Sequence, residues 1–74
     1  MDEVIDKFLD ANSSNTIWIS TCSAVFQGRL TFKFDSDKGG YITLTDCTIV
    51  SNPNNPQIER FSLLTKEIIG WGVN

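Results

Sequence analysis

Residues 28–47 read GRLTFKFDSDKGGYITLTDC, and the reading of this stretch decides the fold. Leu30, Phe32 and Phe34 alternate with Arg29, Thr31, Lys33 and Asp35. After Asp37-Lys38-Gly39-Gly40, Tyr41, Thr43 and Thr45 alternate with Ile42 and Leu44. Period-two alternation places one set of side chains on each face of a strand. Two such runs joined by a glycine turn form an antiparallel hairpin. The alternation predicts that Leu30, Phe32, Phe34, Ile42 and Leu44 fill an interior, with Arg29 and Lys33 on the solvent face.

N-terminal to the hairpin, TIWISTCSAVF over 16–26 is rich in β-branched and aromatic residues and reads as a first strand. Ile17 and Ile19 fall on one face, Trp18, Cys22, Ala24 and Phe26 on the other, and Gln27-Gly28 is expected to turn the chain into the hairpin. Earlier still, DEVIDKFLD over 2–10 sets Val4, Ile5, Phe8 and Leu9 on one helical face. Asp2 and Glu3 sit where the helix dipole favours negative charge. So short a helix has to dock its apolar face to persist, and it is expected to cover the sheet. The polar run Ala11-Asn12-Ser13-Ser14-Asn15 ends it.

C-terminal to the hairpin, the second of its strands is expected to run on to Val50. SNPNNP over 51–56 reads as a loop, and its Asn-Pro steps disfavour helix at the residue before each proline. QIERFSLL over 57–64 reads as a fourth strand, with Arg60 on its solvent face. Thr65-Lys66 turns the chain into EIIGWGV over 67–73, a fifth strand whose Gly70 and Gly72 mark a bulge, a sharp bend or close approach of another backbone.

The 74 residues carry a net charge of −3, six basic residues and no histidine. A single domain over 1–74 is expected, small enough to need burial beyond its own core. Cys22 and Cys47 read as small buried thiols in a reducing compartment, with one disulfide as the alternative. Two cysteines without histidine do not complete a structural zinc site, and no metal or cofactor is expected. The acidic start and short apolar runs point to a cytoplasmic protein without a membrane partner. Lacking histidine and any serine–base pair, the chain is expected not to be an enzyme. Acidic overall charge confines any nucleic-acid site to a local patch.

A helix followed by five bent antiparallel strands predicts a mainly β fold, an SH3-like barrel in preference to an OB-type one, whose helix usually falls between strands three and four. The run D-K-G-G-Y-I-T-L-T-D-C from Asp37 resembles the second half of the Sm1 motif of Sm and Sm-like (LSm) proteins. Asp37, Ile42, Leu44, Asp46 and Cys47 match it. Gly28 and Leu30 resemble the start of that motif's bent strand, and L-L-T-K-E-I-I resembles the Sm2 region. Tyr41 stands where the family has Asn, and Thr65-Lys66 where it has Arg-Gly, so the chain is similar to a divergent member.

That resemblance implies a closed homo-oligomeric ring in which strand four of one subunit pairs with strand five of the next. Leu63, Ile68, Ile69 and Trp71 would then form the subunit interface. It also implies a non-catalytic protein that binds single-stranded RNA, or DNA, around a pore and serves nucleic-acid processing or chaperoning. The corresponding positions are Asp37, Lys38, Gly39, Gly40, Tyr41, Thr65 and Lys66, where a tyrosine face can stack on a base and lysines can meet phosphate. Asp46 is expected to brace a loop. The alternative is an oligomeric β-barrel scaffold that binds proteins and no nucleic acid.

Overall fold

A computed structural model describes residues 3–73. Helix α1 (Glu3–Ala11) is followed by β1 (Thr16–Ser20), β2 (Val25–Phe34), β3 (Tyr41–Ile49) and β4 (Gln57–Leu64). A 3-10 turn (Thr65–Glu67) then leads into β5 (Gly70–Val73). The strands form one antiparallel sheet in the order β4-β3-β2-β1-β5. The expected class, a helix followed by five antiparallel strands, is the one observed. The sheet is open: β4 and β5 are its edges.

Local chemistry explains the elements. Ile5 and Leu9, one helical turn apart, are buried in the core, and Phe8 packs beside them on Trp71 at 6.3 Å between ring centroids. Val4 is exposed, so the apolar face of α1 is narrower than the sequence pattern implies. Asp2 lies outside the described residues. Asn12 closes the helix by donating from its Nδ2 to the Phe8 carbonyl at 2.9 Å. The following linker then pairs with β2: Ser14 N–H donates to Leu30 O at 2.7 Å and Leu30 N–H to Asn15 O at 2.9 Å.

The first hairpin turns earlier than expected. Gln27 and Gly28 lie inside β2, and the chain reverses over residues 21–24. The Thr21 hydroxyl accepts from the N–H groups of Ser23 and Ala24, a local side-chain turn that competes with the strand. Cys22 is consequently exposed on this turn, not buried, whereas Cys47 sits in the core; both thiols are free. Burial pushes the Cys47 thiol pKa up.

Two irregularities bend the central strands. Between Gln27 and Arg29 the partner strand carries one extra residue, and Asp46 there adopts φ 52. Asp46 is thus the left-handed residue of a bulge and not the loop brace expected of it. Gly28 lies opposite, where a Cβ would stand 3.1 Å from both Cys47 Cα and Thr45 O. Between Leu30 and Phe32 the extra residue is on β2, at Thr31.

The second bulge overturns the predicted interior. A one-residue insertion exchanges the faces of everything beyond it. Leu30, Ile42 and Leu44 are buried, but Phe32 and Phe34 are 51% and 45% exposed. Lys33 takes the inward position instead, paired with Ile42, and its side chain is only 14% exposed. It runs under α1, with its ammonium 3.2 Å from Asp10 Oδ1 and 3.8 Å from Asp6 Oδ1, and donates a hydrogen bond to Asp35. The expected solvent-facing lysine thus ties the helix to the sheet.

The Asp35 hydrogen bond, then the neighbouring Asp10, raise the Lys33 pKa above its ordinary value, against the opposing effect of desolvation. A raised lysine pKa contributes stability that is complete below the unfolded-state value of about 10.4 and is lost as pH rises through the folded-state value. Urea unfolding should therefore show Lys33→Met less stable than wild type by about 1 kcal/mol at neutral pH. That difference should shrink above pH ~10.5. A difference that stays constant into that range would place the ammonium outside the cluster.

At the opposite edge, Trp18 pairs with Gly72. A Cβ on Gly72 would come within 2.3 Å of the indole Nε1, and Gly70 also borders the ring. The two glycines of β5 thus make room for an aromatic side chain, where a bulge, a bend or another backbone was expected.

Candidate functional site

The site assembles at one end of the β2–β4 layer, where the β2–β3 hairpin loop meets the C-terminal end of β4. The hairpin loop, residues 35–40, is held by the Ser36 hydroxyl, which bonds the Gly39 carbonyl and accepts from Lys38 N–H, while Gly39 takes φ 119. Glycine is required there because side-chain-bearing residues rarely adopt that conformation. Gly40 is required for another reason: a Cβ would lie 2.1 Å from the Phe34 carbonyl oxygen. The loop closes so tightly that backbone occupies the space of a side chain.

Thr65 locks this loop to the far end of β4. Its N–H donates to Gly40 O at 3.0 Å and its buried hydroxyl to the same oxygen at 3.1 Å. Two residues 25 apart in sequence are thereby joined. Because Thr65 begins the 3-10 turn, Lys66 is carried to the mouth of the hairpin loop.

Between them lies a groove of about 190 Å³. Its walls are the Phe34 and Tyr41 rings and Leu64; Lys38 and Lys66 border it with Gly39 and Gly40. Tyr41 stacks on Phe34 at 5.5 Å and lies 5.8 Å from Phe32, so the three rings form one half-exposed cluster. The groove combines flat apolar surface with two cationic side chains that make no ion pair among the described residues. Such a lining suits a planar, partly anionic ligand.

Of the residues expected around a pore, the structure brings Lys38, Gly39, Gly40, Tyr41 and Lys66 together. Asp37 is exposed on the turn and does not line the groove; Thr65 is buried and positions the loop. Phe34 and Leu64 were not among the expected residues. Phe34 escaped because the bulge at Thr31 is invisible to local alternation. Leu64 had a readable signal, since consecutive leucines in a strand face opposite sides, and Leu63 is the one that turns in.

The residues expected at a subunit interface divide differently. Leu63 belongs to the core, and Ile68 and Trp71 pack against it. Ile69 is 68% exposed, its N–H donating to Ser20 O at 2.8 Å. The outer sides of β4 and β5 pair with no strand among the described residues. Nor, among the described residues, does any group of three or more His, Cys, Asp or Glu come together in a way that could hold a metal ion. No described helix is long and apolar enough to cross a membrane.

No family model matches the chain, and no curated protein matches it.

Proposed function

We propose that the protein is a divergent Sm-like subunit that forms a closed homo-oligomeric ring and holds single-stranded RNA, or DNA, in the groove between the hairpin loop and the β4 end, acting in cytoplasmic nucleic-acid processing or chaperoning. The observation that carries the reading is the Gly40–Thr65 clamp, beside which Tyr41, Lys38 and Lys66 line one groove. A base stacks on the tyrosine face, and the lysines meet the flanking phosphates. The two unpaired edges, β4 and β5, support the ring. Joining β4 of one copy to β5 of the next is a heterologous contact that can close by rotation. It covers both edges and gives a small core the burial it lacks. Repetition around the ring multiplies a weak site.

Titration of labelled oligouridylate and oligoadenylate tests the reading. Wild type should bind with an affinity that falls as salt rises. Tyr41→Ala/Lys66→Ala should weaken binding about tenfold or more, as loss of one stacking platform and one phosphate contact requires. Absence of binding at high protein concentration sinks the nucleic-acid reading and leaves the protein scaffold. Light scattering on the eluting protein should give a discrete multiple of the chain mass; a monomer at micromolar concentration removes the ring.

A further inference from the structure

The bulge at Thr31 places more than the groove on the outer face of the β2–β3–β4 layer. In register, Phe34, Tyr41 and Leu64 form a first row, at the groove. Phe32, Thr43 and Ser62 form the second, with the two hydroxyls bonded to each other at 2.8 Å. Arg29, Thr45 and Arg60 form the third. No acidic residue occupies any of these rows, although acidic side chains outnumber basic ones nine to six in the chain. Asp46 and Glu59 lie just beyond, in the hollow that Arg60 shares with Thr45. Neither Arg29 nor Arg60 makes an ion pair among the described residues.

A phenylalanine left half-exposed in mid-strand is an apolar cost unless something covers it. Its surroundings specify the cover. On one side Phe32 adjoins the Tyr41 ring; on the other, about two strand residues along, stand two exposed arginines. Aromatic planes followed by arginines along one face suit bases followed by backbone phosphate. We infer that a single strand held in the groove continues across this face, its next base on Phe32 and its backbone against Arg29 and Arg60. The three rows span about 13 Å along the strands, room for a short extension of the strand held in the groove. This rests on the proposed function and assigns the same polymer a second contact surface.

The test compares a uridine trinucleotide with an octanucleotide by fluorescence anisotropy, on wild type, Phe32→Ala, Phe32→Leu and Arg29→Ala/Arg60→Ala. Wild type should bind the octanucleotide at least about tenfold more tightly than the trinucleotide. The Phe32→Ala and double arginine variants should lose that gain and keep trinucleotide affinity. Phe32→Leu, which retains apolar volume without a ring face, should lose it too. A length-dependent gain that survives these substitutions overturns the extension and leaves the groove reading standing. Loss of trinucleotide binding only in Tyr41→Ala/Lys66→Ala confirms that the groove is separate from the face. Failure of wild type to bind either oligonucleotide overturns both. Competition by polyglutamate as effective as by unlabelled octanucleotide assigns the face to acidic proteins and overturns the inference.

Discussion

Gly40→Ala is expected to destabilise this domain by about 3 kcal/mol. The added Cβ would stand 2.1 Å from Phe34 O, a contact no rotamer change relieves because the obstacle is backbone. The loop has to move, and the Gly40 carbonyl moves with it, away from both Thr65 donors. Stability and binding should therefore fall together. Urea unfolding reads the first, oligonucleotide titration the second. Thr65→Val separates them: it retains shape and the N–H bond but removes the hydroxyl donor, at a cost of about 1 kcal/mol. If Gly40→Ala unfolds at the wild-type urea concentration, the close approach of β2 to the loop is wrong.

Leu44→Ala should have the other large effect. Leu44 is fully buried, paired with Leu30 on one side and Phe61 on the other. Truncating such a leucine costs roughly 2–5 kcal/mol, part of it for the cavity left behind. A domain of 74 residues has a total stability of only about 4–11 kcal/mol, so this loss removes a large share of it. Phe32→Ala removes a larger side chain yet should cost only about 1 kcal/mol, mostly the ring contact with Tyr41. The contrast checks the bulge directly. Equal losses at the two positions would mean that Phe32 faces inward and that the alternating register continues through Thr31.

These expectations separate what local pattern encodes from what it does not. The strand at 57–64 was legible to the residue, because proline and asparagine delimit one end and the Thr65 turn the other. The hairpin partners were legible as well. The faces of the hairpin were not. Alternation in RLTFKF is uninterrupted, so nothing in those residues distinguishes a phenylalanine inside from a lysine inside. The inward lysine is matched by α1, whose Asp10 and Asp6 carboxylates stand 3.2 and 3.8 Å from the Lys33 ammonium. With those carboxylates overhead, the inward lysine is paired and its aliphatic stem is covered.

The groove divides the same way. A tyrosine beside Gly-Gly and two lysines at turns could be picked out as candidates, but their meeting is a tertiary fact. Local patterning alone encodes a helix, five strands, the turns between most of them and an acidic chain with six basic residues. The tertiary structure decided which side of the sheet is the core. It also decided that loops 25 residues apart share the Gly40 carbonyl. The reason is physical: side-chain period is a local property of a strand, whereas a bulge is set by the strand opposite and by the helix above.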